Sequence, residues 1–147
     1  MSILITGTAG FIGSETALKL LERGESVIGI DNINDYYDTQ LKRDRLARFY
    51  DHPNYTNYEF CIADTQKLQA VFTDHAIDRV IHLAAQAGVR YSIENPQAYI
   101  SSNLVGFGNI LECCRHNAIK HLVYASSSSV YGCLLYTSDA ADEAKCV

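Results

Sequence analysis

We predict an α/β fold with a doubly wound parallel sheet, because apolar runs typical of strands alternate with helical patterns along the chain. Five such runs occur, at residues 3–5, 27–30, 57–63, 80–85 and 121–125. Right-handed crossovers between parallel strands then give the strand order 3-2-1-4-5. In a sheet of this order, a ligand binds at the carboxyl ends of the strands, where strands 1 and 4 separate.

A glycine turn follows the first strand. Ile3–Ile5 is uniformly apolar, which indicates a strand buried on both faces, and glycines follow at 7, 10 and 13 before a helical pattern. Unpaired N–H groups at a helix N-terminus attract phosphate, and a side chain at Gly7 or Gly10 would hold a phosphate away from them. We expect Gly13 to let the helix lie close to the sheet. The turn therefore predicts a pyrophosphate site in a Rossmann-like fold.

Asp31 ends the second strand, Val27–Ile30. An acidic residue at this point is suited to accept hydrogen bonds from the ribose hydroxyls of a dinucleotide. Its charge would repel a 2′-phosphate, which favours NAD over NADP. The other interpretation is a turn or helix-capping residue, supported by the neighbouring Asn32.

Further residues lie at the ends of later strands. Asp64 is a natural N-cap for the third helix, and an Asp at this point can also accept from the adenine amino group. Ala84 and Ala85 leave room for a flat ligand, although close packing explains them equally well. Lys42 is the cation best placed to approach the adenosine phosphates, while its basic neighbours form a solvated face.

A long helix is expected to begin at Asn95-Pro96, because Pro is favoured at an early helical position. Its apolar positions recur at helical spacing and predict one face packed against the sheet. These positions are Ile100, Leu104, Phe107, Leu111 and Cys114. Gly106 and Gly108 indicate a close approach of this helix to the sheet.

Composition excludes several classes of protein. The chain has 147 residues, a net charge of −5 and 48% hydrophobic residues, which describes one ordinary domain without a basic face for nucleic acid or anionic membrane. It has no apolar run near the length of a membrane span and begins on a strand instead of a signal peptide. The five cysteines follow no metal-binding spacing, so we expect reduced thiols, no metal and a cytoplasmic location.

Four motifs together resemble the extended short-chain dehydrogenase/reductases, specifically the NAD-dependent epimerase/dehydratase family. They are Thr6-Gly7-x-x-Gly10-Phe11-Ile12-Gly13, Asp31-Asn32, His82-Leu83-Ala84-Ala85 and the run 126–132. Residues 31–38 with Leu41-Lys42, and residues 84–92, look like the members that act on UDP-glucuronate. The resemblance covers residues 1–132 and implies a tightly held NAD, a UDP-hexuronic acid substrate and a homodimeric full-length protein.

The resemblance implies a reaction in which a Tyr–Lys pair deprotonates the sugar 4-OH, NAD takes and returns the C4 hydride, and the 4-keto sugar rotates in between. Ser127 matches the serine that hydrogen-bonds O4, although a loop satisfying its own backbone also explains the serine run. Arg90 suits a phosphate or sugar carboxylate, or a surface salt bridge, and Asn103 suits the cofactor or substrate, or a polar helix face. The cofactor-binding residues are expected to be Gly7, Gly10, Phe11, Ile12, Gly13, Asp31, Asn32, Asp64, Thr65, Leu83, Ala84, Ala85, Ala125 and Ser126.

The sequence departs from the family after the serine run. The residues four positions after Tyr124, Tyr131 and Tyr136 are Ser128, Leu135 and Ala140, so the family's Tyr-x-x-x-Lys is missing there. Residues 133–143 resemble a translated sequencing adapter. We therefore expect a truncated NAD-binding domain at 1–132, a non-native read-through tail at 133–147, and no turnover by this chain. The alternatives are a catalytically silent NAD-binding module, or a fragment of a related nucleotide-sugar epimerase or dehydratase.

Overall fold

A five-stranded parallel sheet of order β3-β2-β1-β4-β5 forms the centre of the molecule, which confirms the predicted fold class. The computed structural model describes residues 1–127 and residue 130. The expected tail at 133–147 and two serines of the run, Ser128 and Ser129, lie outside the described residues. The strands are β1 Ser2–Thr6, β2 Ser26–Asp31, β3 Tyr55–Glu59, β4 Ile77–His82 and β5 His121–Tyr124.

Helices cover both faces of the sheet and create two apolar cores. Along β1, Leu4 points to the core that contains Ile110 of α6, whereas Ile3 and Ile5 point to the core that contains Leu21 of α1. This alternation is the packing of a doubly wound sheet. The helices are α1 Phe11–Glu22, α2 Thr39–Ala47, α3 Thr65–Asp74, α4 Tyr91–Glu94, α5 Pro96–Tyr99, a π-helix Ile100–Gly106, and α6 Phe107–His116.

The part of the chain that the structure describes contains neither a membrane-spanning helix nor a metal-binding group. Every helix in it is too short or too polar to span a membrane. Its His, Cys, Asp and Glu side chains form no group of three or more that is placed to hold a metal ion.

β3 and β4 both begin and end earlier than their apolar runs suggest. The sequence predicts strands at 57–63 and 80–85, but the parallel ladders end at Glu59 and His82. Phe60 and Ile62 are buried beyond the end of β3, where they pack into the core without pairing to a neighbouring strand. A buried segment is apolar whether or not it pairs with a neighbouring strand. The apolar pattern therefore cannot distinguish a strand from the buried turn that follows it.

The predicted apolar face of the long helix is only partly correct, because Phe107 stacks on His82 and Cys114 packs against the core, but other members do not face inward. Leu104 and Leu111 are exposed, and the residues that face the core are Gly106, Ile110 and Cys113. The π-helix at Ile100–Gly106 is the physical reason, because its wider turn changes the angular position of every later residue relative to a regular α-helix. A count at regular helical spacing from Ile100 therefore includes Leu104 and Leu111, which are exposed, and omits Ile110 and Cys113, which are buried.

The two glycines of this helix also differ. A Cβ on Gly106 would lie 2.6 Å from the Ile62 side chain, so the close approach predicted there is confirmed. A Cβ on Gly108 would meet nothing within 4 Å, so the same prediction for Gly108 is wrong.

Candidate functional site: a groove at the carboxyl ends of the strands

The glycine turn forms the floor of a groove between β1, β2 and β4. Gly7 has φ +80°, its N–H donates to the Ile30 carbonyl at 2.7 Å, and the Gly10 N–H donates to the Gly7 carbonyl at 3.0 Å. Gly7 and Gly10 both line the groove. No side chain caps the first turn of α1, whose N-cap is Gly10. The groove therefore meets a helix N-terminus whose amide groups suit an anion.

The glycines are also required by packing within the protein. A Cβ on Gly7 would lie 2.9 Å from the Ala84 nitrogen and the Leu83 carbonyl carbon. A Cβ on Gly13 would lie 1.9 Å from the Gly7 oxygen, closer than any real contact. Gly13 thus lets α1 lie close to the glycine turn, and its predicted role against the sheet stays a prediction. Phe11 and Ile12 begin the helix and are exposed.

Asp31 joins the glycine turn to the end of β2 and lines the groove. One carboxylate oxygen accepts from the Ala9 N–H at 3.0 Å and the other from the Ile33 N–H at 2.9 Å. The turn-forming role that the sequence left open is therefore real. It does not exclude the ribose role, because a carboxylate has about four lone-pair sites and two of them remain for a ligand. Asn32 lines the groove beside it and is exposed.

The opposite wall of the groove consists of the residues that follow β4. Leu83, Ala84 and Ala85 line it, as the sequence predicts. The Thr6 hydroxyl lies 3.2 Å from both the Leu83 and the Ala84 nitrogen and accepts from these two N–H groups. These bonds connect the end of β4 to the end of β1.

Lys42 is buried at the side of the groove, with 4% of its surface exposed. Its ammonium group donates to the backbone and side-chain oxygens of Asn34 at 2.6 and 2.5 Å, and it lies 4.4 Å from the centre of the Tyr37 ring. Burial lowers the pKa of Lys42, and the negative charges of Asp31 and Asp35 oppose that shift. Lys42 therefore carries a positive charge into the groove while it holds the loop after β2 in place.

Two loops meet beside the groove: the β2 loop, residues 32–38, and the β4 loop, residues 83–90. The Asn34 side chain donates to the Gln86 side chain at 3.5 Å. The Tyr36 and Tyr91 rings lie 4.8 Å apart, and a Cβ on Gly88 would lie 2.1 Å from the Tyr36 hydroxyl. A second cavity lies beyond this contact, with Asn34, Tyr36 and Gln86 shared by both. The contact between the loops thus forms a wall of the groove.

Asp64 and Thr65 lie apart from the groove lining. The Asp64 carboxylate caps α3 by accepting from the Lys67 N–H at 3.1 Å, and this bond is the main reason that the pKa of Asp64 is lowered. Thr65 donates to Asn109 at 3.2 Å. The capping role predicted for Asp64 is confirmed, and the adenine role stays a prediction. The residues after β3 that line the groove are Phe60, Cys61 and Ile62.

The two residues expected to bind substrate have different surroundings. The Asn103 amide accepts from the Gln86 N–H at 2.8 Å and donates to the Gln86 carbonyl at 3.0 Å, so it fixes the β4 loop from the π-helix. The sequence did not predict this contact. Arg90 is exposed and begins α4. Binding of cofactor or substrate by either residue stays a prediction.

The end of β5 lies next to the end of β4. The Ala125 N–H donates to the His82 carbonyl at 3.1 Å, which brings Ala125, Ser126 and Ser127 to the same edge of the sheet as the groove. All three residues are exposed. The Ser127 carbonyl accepts from the Val130 N–H at 3.2 Å.

Seven of the predicted cofactor residues line one groove: Gly7, Gly10, Asp31, Asn32, Leu83, Ala84 and Ala85. The groove is also lined by Asn34, Lys42, Tyr36 and Gln86. The sequence analysis did not predict three of them, and it predicted only that Lys42 approaches the adenosine phosphates. One signal could have identified Gln86 and Asn34, because Gln86 follows Ala85 directly and Asn34 comes two residues after Asn32. Tyr36 and Cys61 carry no such signal.

The comparisons with known proteins agree with this geometry. The sequence model of the GDP-mannose 4,6 dehydratase family matches residues 4–145, and the chain therefore belongs to this family of NAD-dependent epimerases and dehydratases. This confirms the family predicted from the sequence. The protein CapI of Staphylococcus aureus is 58% identical over 132 residues, which are 90% of this chain and 39% of that protein. UDP-glucuronate 4-epimerase 2 of Arabidopsis thaliana is 48% identical over 133 residues, covering 90% of this chain and 30% of that protein.

Solved structures show the same architecture. UDP-glucuronic acid 4-epimerase from Bacillus cereus, crystallised with UDP-glucuronic acid and NAD, superposes with a TM-score of 0.84 at 33% identity over 96% of this chain and 45% of that chain. UDP-glucose 4-epimerase from Thermotoga maritima gives a TM-score of 0.79 at 33% identity over 93% of this chain and 41% of that chain. The chain spans 29–40% of the length of the curated relatives it matches.

Proposed function

We propose that this chain is the NAD-binding portion of a nucleotide-sugar 4-epimerase that converts UDP-glucuronate to UDP-galacturonate, with residues 1–132 as the NAD-binding unit. The observation that carries the proposal is the groove, in which a glycine turn, an acidic residue after β2 and small residues after β4 meet at one edge of the sheet. This is the edge at which dinucleotides bind to doubly wound sheets. UDP-glucuronate 4-epimerases among the relatives support the choice of sugar.

The residues of the groove fit NAD. The uncapped N-terminus of α1 offers amide donors to the pyrophosphate, and a Cβ at Gly7 or Gly10 would crowd the turn that presents them. Asp31 keeps lone pairs for ribose hydroxyls after it has bound the Ala9 and Ile33 amides. Its charge disfavours a 2′-phosphate, so NAD is preferred to NADP. When bound, NAD supplies an acceptor for the hydride of the sugar C4 and later returns it.

The sugar is placed at the end of β5. Ser127 is proposed to hydrogen-bond the sugar O4, because a hydroxyl both donates and accepts as that oxygen changes its charge. Arg90 is proposed to pair with a phosphate or the sugar carboxylate, and its exposed position at the end of the β4 loop supports this. Asn103 acts on the same site through the Gln86 backbone that it holds.

The partners of the full-length protein are also proposals. Exposed apolar side chains on the π-helix and α6, namely Leu104, Val105 and Leu111, support a homodimer that covers them. The net charge of −5 and the absence of a basic face support neither nucleic acid nor anionic membrane as a partner. We propose a cytoplasmic location, which is supported by the free thiols of Cys61, Cys113 and Cys114, the cysteines within the described residues.

Two other functions share the groove. A catalytically silent NAD-binding module would bind the cofactor in the same way and would not bind a nucleotide sugar. A fragment of a related epimerase or dehydratase would bind a nucleotide sugar other than UDP-glucuronate, which matches the family to which the chain belongs.

Calorimetry and a turnover assay with the purified 147-residue chain test the proposal. We expect one NAD per chain, NADP at least about tenfold weaker because of Asp31, and no UDP-galacturonate formed from UDP-glucuronate. A folded chain that does not bind NAD would refute the proposal. Turnover that is lost in Ser127→Ala would show that this chain catalyses the reaction by itself. Binding of NAD without any effect of nucleotide sugars would favour the silent module.

A further inference from the structure

Thr6 and His82 form a buried hydrogen-bonded pair beneath the groove. The Thr6 oxygen is 2.7 Å from His82 Nδ1, and both side chains are buried. The same oxygen accepts from the N–H groups of Leu83 and Ala84. A hydroxyl has a single proton, and both backbone amides use theirs toward Thr6, so the Thr6 proton points to His82 Nδ1. Nδ1 is therefore the acceptor, and the ring carries its proton on Nε2.

The surroundings of His82 keep it in this form. Its ring stacks on Phe107 with centroids 5.3 Å apart and planes 15° apart. Burial lowers the pKa of His82 to about 4, so the ring is neutral at physiological pH and Nδ1 stays free to accept. Phe107 continues the contact to Tyr124, 5.2 Å away, at the end of β5.

The position of Leu83 and Ala84 determines the shape of the groove. Both residues line it, and they leave only enough space for a glycine at position 7. A shift of these two amides would therefore move one wall of the groove relative to its floor. The Leu83 amide is shared between the Thr6 carbonyl at 3.1 Å and the Thr6 hydroxyl, whereas the Ala84 amide bonds to the hydroxyl oxygen. The direction of the hydroxyl lone pairs that hold the two amides depends on where the Thr6 proton points.

We propose that His82 is a positioning residue for cofactor binding: by accepting the Thr6 proton, it directs the Thr6 oxygen to the Leu83 and Ala84 amides and so fixes the wall of the groove. The assignment of the groove to NAD rests on the proposed function above. The competing explanation is that His82 contributes only packing through its stack on Phe107.

Two substitutions separate these explanations. His82→Asn keeps an acceptor near the place of Nδ1 and loses the ring, whereas His82→Phe keeps a ring on Phe107 and loses the acceptor. We expect His82→Asn to bind NAD within about threefold of the parent chain and His82→Phe to bind about tenfold more weakly, because a buried donor then lacks its partner. We expect the opposite order for stability: His82→Phe should have a higher unfolding midpoint than His82→Asn, because the ring supplies the packing on Phe107.

A packing role predicts that NAD affinity follows stability, with His82→Phe the better binder, and that outcome would overturn the proposal. If either variant does not fold, the parent chain alone gives the answer through the nitrogen-15 NMR shifts of the His82 ring. An unprotonated Nδ1 with a hydrogen bond supports the proposal, and a protonated Nδ1 overturns it. This readout needs no cofactor, so failure of the parent chain to bind NAD would count against the proposed function and not against the role of His82.

Discussion

The carboxyl ends of β1 and β5 are constructed differently. At the end of β1, the side chain of Thr6 is fully buried and hydrogen-bonded, and the neighbouring Asp31 carboxylate holds two backbone amides. At the end of β5, Val123 and Tyr124 are 49% and 53% exposed, and residues 125–127 after them are exposed as well. Close packing fixes the first end, whereas the second is an uncovered sheet edge. The proposed cofactor and sugar sites thus lie in separate regions, and only the first is enclosed by the described residues.

The largest effect is expected at Gly13. Gly13→Ala places a methyl group 1.9 Å from the Gly7 oxygen, so α1 must move away from the turn. We expect a loss of about 3 kcal/mol in the free energy of unfolding and no measurable NAD binding, tested by urea denaturation and calorimetry. Gly108→Ala is the matched control, because its added Cβ meets nothing within 4 Å. That change should raise helix stability by up to about 1 kcal/mol. Equal stability of the two variants would contradict the claim that the turn is closely packed.

A pH effect of similar size is expected from His82. Its pKa is about 4 in the folded chain and 6.5 in the unfolded chain. Between these values the unfolded chain binds a proton that the folded chain does not, so the free energy of unfolding falls as the pH falls from 6.5 to 4. The loss is up to about 3 kcal/mol, and this group contributes no further change above pH 6.5. Urea denaturation at pH 7 and pH 4.5 measures it. His82→Asn should show a smaller decrease, and an unchanged decrease would place the effect on other groups.

Asp31→Asn is expected to act mainly on binding. The amide retains one acceptor oxygen for two backbone N–H groups and has no charge for the ribose hydroxyls. We expect NAD affinity to fall about 10- to 100-fold, equivalent to about 1.5–3 kcal/mol for a hydrogen bond to a charged group, with a smaller loss for NADP. Calorimetry with both nucleotides measures this. Asp38→Asn, at the exposed N-cap of α2, is the control and should leave both affinities unchanged. Equal losses for NAD and NADP would show that Asp31 does not select between them.

The smallest effect is expected at the wall between the two loops. Tyr36→Ala removes the ring that packs on Tyr91 at 4.8 Å and frees the β2 loop from the β4 loop. We expect NAD to dissociate up to about tenfold faster, since such an aromatic pair contributes about 0.5–1.5 kcal/mol. Stopped-flow displacement of NADH fluorescence by NAD measures the rate. Tyr36→Phe keeps the ring and should behave like the parent chain. Identical rates in all three chains would mean that this wall does not limit cofactor exchange.

The sequence predicted the architecture because the signals for it are local. Each signal, such as an apolar run, the glycine turn or Asp31 at the end of a strand, is contained in a short stretch of sequence. A parallel sheet with right-handed crossovers then has few possible strand orders. Asp64 was predicted as a cap for the same reason, since its partner is the Lys67 amide one helical turn away. The helix after Asn95-Pro96 was harder, because a π-helix leaves no clear pattern in composition and its wider turn moves Leu104 and Leu111 to the surface.

The contacts within the site that the sequence did not predict join different structural elements. Lys42 reaches the groove from α2 by bonding to Asn34, and Asn103 reaches the β4 loop from the π-helix. The Thr6–His82 pair joins two strands that are far apart in sequence. None of these contacts follows from periodicity or spacing along the chain. To predict these contacts, one must know the order of the strands and then the directions of the side chains, which only the structure supplies.

The most direct test of the central claim is an NMR titration of the backbone amides with NAD. The account predicts that the largest shift changes at saturation occur in the glycine turn, 7–13, at Asp31 to Asn34, and at 83–86. It predicts only small changes on the opposite edge of the sheet, at Ser2, Ser26 and Ile77, where the strands begin. Shifts confined to residues outside the groove, or no shifts in the folded chain at millimolar NAD, would contradict the account.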